Sequence, residues 1–223
     1  MIDRRFVPSL LLALIASLSL GGCFSRRVSL LEPADARFAK AAPDSFDVEL
    51  STTKGLIVIR VHRSWSPHGV DRFHALVRHG FFTDVAFHRT VRNFVAQFGI
   101  NGDPAVSAAW NGKNIPDDTV RVRNERGTLV FARGGPNTRG TQLYFNLVSN
   151  SPRLDTLNGI GFPPIARVIA GLSVMDSLNS EYSSGRGAMG PQQDSIRRQG
   201  NAYLRRQFPR LDYIVRARVV RKW

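Results

Sequence analysis

A chain of 223 residues, 43% hydrophobic and 22% charged, suits one globular domain with a real core and a tail or two. Its 31 Lys+Arg against 17 Asp+Glu give a net charge of +14, which favours contact with anionic surfaces. The arginines are scattered and no basic-aromatic motif marks a specific nucleic-acid reader; the single cysteine excludes a disulfide scaffold, and the five histidines (His62, His68, His74, His79, His88) lack metal-ligand spacing.

Arg4 and Arg5 precede an apolar run from Phe6 to Leu20, the pattern of a secretory signal peptide and short for a membrane span. The run ends in Leu20-Gly21-Gly22-Cys23, which resembles a bacterial lipobox and implies that Cys23 takes diacylglycerol. On this reading residues 1–22 are a leader, 23–44 a polar, Ala- and Pro-containing tether, and 45–223 the folded domain.

Ser45–Leu50 and Leu56–Val61 flank Ser51-Thr52-Thr53-Lys54-Gly55 and predict a β-hairpin. From Pro67 to His79, Val70, Phe73, Leu76 and Val77 share one helical face, Asp71 and Arg72 fall on the solvated side, and Gly80 supplies the αL residue wanted at the end. Phe87–Gln97 is two short apolar runs split by Arg92-Asn93, which predicts two strands and a tight connection. Side chains alternate across a strand, so Val95 and Gln97 share a face. The hairpin then brings Arg89 beside Gln97, over a surface floored by Phe94 and Val95.

Asn101–Arg126 is long and aperiodic, a loop on this reading, with Trp110 either bordering a site or packed over the sheet edge. Phe131–Phe145 runs from a strand end through Gly134-Gly135-Pro136-Asn137 into a second aromatic strand. Gly127–Ala132, Leu143–Val148 and Ile165–Ile169 read as strands, and Val174, Met175 and Leu178 as a short amphipathic helix. In Tyr182–Arg210 a helix is expected from Pro191 towards Arg206, packed on the flank of the domain by Ile196, Tyr203 and Leu204. Leu211–Val220 reads as a closing strand.

Taken in order, Phe87-His88-Arg89, Phe94-Val95-Ala96-Gln97 and Ala132 through Gly135-Pro136-Asn137-Thr138-Arg139-Gly140-Thr141-Gln142-Leu143-Tyr144 resemble the signature segments of the cyclophilin family of peptidyl-prolyl isomerases. Gly69-Val70-Asp71-Arg72-Phe73 and Gly80-Phe81-Phe82 fit the helix ahead of the first segment. The resemblance implies a mainly β fold, a closed antiparallel barrel of about eight strands capped by two helices, here with an extra helical segment at 182–210. Closure would remove unpaired sheet edges.

The resemblance also implies isomerisation of X-Pro bonds. Arg89 would donate to the prolyl nitrogen of the twisted amide, and Gln97 would hold a carbonyl nearby. Phe94, Val95, Tyr144 and Leu154 would form the proline pocket, Ala132 and Arg133 would meet the substrate backbone, and Gln142 would order its neighbours. No cofactor or metal is called for. The implied partners are proline-containing exported polypeptides, met by a monomer lipid-anchored in the cell envelope at the outer membrane and facing the periplasm.

The chain departs from the family pattern at several points. Val95 stands for Met, Tyr144 for Phe and Arg133 for Asn, while Arg153-Leu154-Asp155 lacks the rim aromatic; the family's later histidine falls near Asn158 or Phe162. The expectation is an active enzyme that binds the family's macrocyclic inhibitor poorly, with no site residue in 182–210. Two other readings stay open at this point: a groove that holds Pro-containing peptides without turning them over, and a basic envelope protein that binds anionic polymer.

Overall fold

The computed structural model describes residues 29–182 and 190–223; the leader and Cys23 lie outside them. The domain opens with strands β1 (Ser45–Thr52) and β2 (Gly55–His62), then helix α1 (Pro67–Arg78) and strands β3 (Val85–Ala86), β4 (Arg89–Val91) and β5 (Val95–Phe98). Helix α2 (Pro104–Trp110) and strands β6 (Thr128–Phe131) and β7 (Leu143–Asn146) follow, then α3 (Arg153–Thr156), β8 (Pro164–Ala170), α4 (Leu172–Asp176), α5 (Gln193–Gln207) and β9 (Tyr213–Lys222). The nine strands form one antiparallel sheet in the order β3-β9-β1-β2-β8-β6-β7-β5-β4. Its two ends, β3 and β4, are separated in the chain only by Phe87-His88, so the sheet curls until its edges meet through a covalent link.

Alternation along the first hairpin turns Phe46, Val48 and Leu50 inward opposite Val61, Ile59 and Ile57, all wholly buried. Helix α1 lays Val70, Phe73, Leu76 and Val77 on this layer. The centre is aromatic: Phe98 stacks on Phe145 at 5.7 Å and meets Phe82 and Phe87 edge-on.

Several expectations change. The stretch from Asn101 holds α2, whose start Asp103-Pro104 is a cap followed by proline; the Asp103 carboxylate accepts from the Ala105 N–H at 2.8 Å. The rest of that loop is tied down by Arg139, whose side chain is wholly buried. It donates to Asp118 at 2.8 Å, to Ser66 at 3.1 Å and to the Pro116 carbonyl. Burial opposes the charge on Asp118, but donors from Ser66, Arg139 and the Gly69 N–H outweigh it and hold the carboxyl below its usual range.

Asp71 and Arg72 are not on a solvated face. Asp71 accepts from Arg63 and from the Ala42 N–H, both at 2.8 Å, and Arg72 lies over Trp110 while donating to the Lys113 carbonyl. The described part of the expected tether is docked as well, with Phe38 buried edge-on to Trp110 and His79.

Helix α5 begins at Gln193 and kinks at Gly200 (φ 61°, ψ −151°), a backbone conformation open to glycine. A Cβ there would stand 2.1 Å from the Gly102 carbonyl, which instead accepts the Asn201 N–H at 2.9 Å. Ile196 and Leu204 are buried with Ile100, Leu211 and Tyr213, the flank packing that the apolar stripe predicts. Leu204→Ala should therefore cost about 2–5 kcal/mol of unfolding free energy in urea titration. A loss near zero would mean that α5 is an ornament.

His88 is buried, and burial first, then the charges of Arg89 and Arg197, pull its imidazole down to about 4. In the window between that value and the ordinary 6.5 the unfolded chain binds a proton that the fold refuses. The stability tied to a neutral His88 is thus complete above pH 6.5 and is lost as pH falls towards 4, at up to about 1.4 kcal/mol per pH unit. His88→Gln should flatten the pH dependence of unfolding free energy across that window by this share. An unchanged slope would show that the ring is protonated in the fold.

Candidate active site

Register places the candidate residues. Across β4, β5 and β7, Arg89 sits opposite Gln97, and Gln97 opposite Tyr144. The Arg89 Nη1 donates to the Gln97 Oε1 at 3.2 Å, and the Gln97 Nε2 donates to the Gln142 Oε1 at 2.8 Å. Burial draws the Arg89 guanidinium below its usual basicity, yet it stays a cation at neutral pH. Its centre lies 5.8 Å from the Phe94 ring.

Beside this polar line is an apolar cluster of Val95, Val130, Tyr144 and Leu154, with Phe94, Ala132, Leu157 and Phe162 packed against it. The structure therefore brings together eight of the candidates read from the sequence: Arg89, Gln97 and Gln142 on the polar side, Phe94, Val95, Ala132, Tyr144 and Leu154 on the apolar side. Leu154 is held there from behind by Asp155, which accepts from the Asn124 N–H and Nδ2 at 2.8 Å each. The Tyr144 hydroxyl is buried without a hydrogen-bond partner, and burial pushes its phenol well above the ordinary value.

Arg133 differs from expectation. Its side chain is 2% exposed, donates to the Gly161 carbonyl at 2.7 Å and lies 4.8 Å over the Phe162 ring. It thus holds the 157–162 turn in place rather than reaching for a peptide backbone. Phe162 is edge-on to Tyr144 at 6.1 Å, so the rim aromatic missing at Arg153 is supplied from the other side of the turn, while Asn158 is exposed. The Ala132 N–H is taken by the Gln142 carbonyl at 2.9 Å, so it is not available to a ligand.

The expectation that 182–210 contributes nothing here is corrected. The Gln142 Nε2 donates to the Gln193 Oε1 at 3.0 Å, and the Arg197 Nη2 donates to the same oxygen at 3.3 Å. Residues Gln193 and Arg197 of α5 join Gln97, Ala132, Arg133 and Gln142 in lining a cleft of about 480 Å³. Trp110 lines it too, though 4% exposed, while its indole N–H donates to the Leu30 carbonyl. Nothing in the spacing of Gln193 or Arg197 announces this, since helical periodicity marks only the buried face.

Comparison with known proteins agrees with this geometry. The family model described as Cyclophilin type peptidyl-prolyl cis-trans isomerase/CLD matches residues 46–200. Peptidyl-prolyl cis-trans isomerase B of Escherichia coli is 29% identical over 147 residues, covering 64% of this chain and 88% of that protein. Peptidyl-prolyl cis-trans isomerase CYP65 of Arabidopsis thaliana is 30% identical over 143 residues, 61% of this chain, which spans only 23% of that longer protein. A solved Cryptosporidium parvum cyclophilin type peptidyl-prolyl cis-trans isomerase superposes with a TM-score of 0.57 at 19% identity, over 79% of this chain and 98% of its own. A barrel that sets an arginine and glutamine beside an apolar pocket, under a family match over most of the chain, leads to one conclusion: this chain belongs to the cyclophilin-type peptidyl-prolyl cis-trans isomerase family.

Proposed function

We propose that this chain catalyses cis–trans isomerisation of X-Pro bonds in exported polypeptides, from a lipid anchor at Cys23 in the cell envelope. The observation that carries the chemistry is the pairing of Arg89 with Gln97 beside the Val95, Tyr144, Leu154 and Phe162 pocket. Rotation of the amide breaks its resonance, a barrier of about 18–20 kcal/mol. As the bond twists, the prolyl nitrogen regains a lone pair that accepts a hydrogen bond. Arg89 is a fixed cation beside the place where that nitrogen would lie, and the apolar pocket grips the ring while the carbonyl side turns. Gln97 points the guanidinium and offers the rotating carbonyl an amide N–H in exchange for its bond to Gln142.

A protease-coupled prolyl peptide assay tests this. Arg89→Ala should lower the turnover constant by about ten- to a few hundredfold, the worth of a charge-assisted hydrogen bond of about 1.5–3 kcal/mol made in the transition state. Peptide affinity should change far less, and Arg89→Lys should recover little because an ammonium lacks the guanidinium fork. Unchanged turnover in Arg89→Ala would remove the residue from the mechanism, whereas tight peptide binding with no rate gain by the wild-type protein would favour a module that only binds proline-containing peptides.

The anchor rests on the Leu20-Gly21-Gly22-Cys23 run after an apolar segment. Cys23→Ala should abolish incorporation of radiolabelled palmitate and leave an unlipidated precursor. Label persisting in the variant would place the lipid elsewhere.

A further inference from the structure

We propose that the cleft between the 132–142 segment and α5 selects an acidic side chain next to the substrate proline, and that Arg197 is the residue that sets this specificity. The inference rests on the prolyl-peptide reading above. The cleft of about 480 Å³ is large enough for a side chain and is lined by two ionisable residues, Arg133 and Arg197, with no carboxylate and no histidine. The rest of its polar lining is mostly amide and hydroxyl, with Asn111, Asn114, Gln97, Gln142 and Gln193 offering N–H donors. Such a lining returns hydrogen bonds to an anion and repels a cation.

Position ties the cleft to the proline pocket. Ala132 lines the cleft and also packs against the apolar cluster, while Gln97 and Gln142 form the partition between the two. An extended peptide advances about 3.3 Å per residue, so a chain whose proline sits on Val95 and Tyr144 carries a neighbouring residue past this partition within a step or two.

The two arginines differ in what holds them. Arg133 is fixed by the Gly161 carbonyl and the Phe162 ring, with Asp117 at 4.0 Å from its Nη1. Arg197 has Asp194 as its carboxylate partner at 2.9 Å, one helical turn back, and that carboxylate is 77% exposed. A surface pair of this kind is weak and exchangeable. The backbone beneath Arg197 is rigid, since Ile196 is buried and Asn201 is bonded to Gly102 and Asp84. Arg197 also lines the adjoining cleft that holds His88 and Arg89, so its guanidinium stands at the junction of the two. It is therefore the cation able to turn from Asp194 to a ligand carboxylate.

The test uses paired peptides with Glu or Gln at each position flanking the proline. Turnover would be measured by the protease-coupled assay and affinity by fluorescence anisotropy, on the wild-type protein, Arg197→Gln, Arg197→Glu and Arg197→Lys. At one position Glu should be favoured over Gln by roughly tenfold in affinity, the value of one charge-assisted hydrogen bond. The preference should vanish in Arg197→Gln, reverse in Arg197→Glu and persist in part in Arg197→Lys. Equal preference at every position would reflect only the net charge of +14 and would overturn the proposal, as would a preference that survives Arg197→Gln. Turnover of both series with no Glu preference would overturn it while leaving the isomerase reading intact. Tighter binding of the Glu peptide without turnover of either would support it and overturn the isomerase reading.

Discussion

The structure depends on one pairing register, that of β4, β5 and β7, which aligns Arg89, Gln97 and Tyr144 across three strands. Side chains alternate with a period of two, so a slip of one residue would turn Arg89 into the core and Thr90 out to the site. The short connection prevents this. Asn93 adopts a positive φ of 57°, and the Phe94 carbonyl accepts both the Leu147 N–H and the Asn150 side chain. The tip of the hairpin is thereby stapled to the strand that carries Tyr144.

From that register a polar line follows in one direction. Arg89 cannot accept a hydrogen bond, so the Gln97 amide must turn its oxygen towards it and its N–H₂ away, which in turn orients Gln142 and then Gln193. Arg197 closes the line from the far end by donating to the same Gln193 oxygen. With a cation at each end, every amide between them has one orientation. Neutralising either arginine frees the amides to flip, and the orientation of Gln97 is then no longer fixed.

What the sequence made legible was local. Alternation in 45–61 and the spacing of Val70, Phe73, Leu76 and Val77 foretold the first hairpin and α1, because each is a periodic pattern within one element. The proximity of Arg89 and Gln97 was legible for the same reason, being a hairpin contact. The Asp103-Pro104 start of α2 is a local signal too, masked by the aperiodic stretch around it. Contacts made at long range left no such trace. Gln142 meets Gln193 across 51 positions, and Arg133 finds Phe162 only after a turn has folded back. Asp71 falls on the outer side of a helical wheel, and only the docking of Ala42 and Arg63 shows that this side is covered. Periodicity reports which face is buried, never what the other face meets.

The placement of β9 bears on the order in which the chain can be completed. The first strand lies between the second and the last, and side chains such as Glu49 and Arg218, joined by a hydrogen bond, are 169 positions apart. A chain emerging N-terminus first can form the β1–β2 hairpin at once but holds β1 with one open edge until β9 arrives. Closing so long a loop is slow, and an exposed apolar edge is a template for other chains in the meantime. Deletion of β9, Tyr213–Lys222, would make that exposure permanent, for it is the strand that pairs with the outer edge of β1. The closure of the sheet is therefore necessarily a late event, complete only after β9 has been delivered.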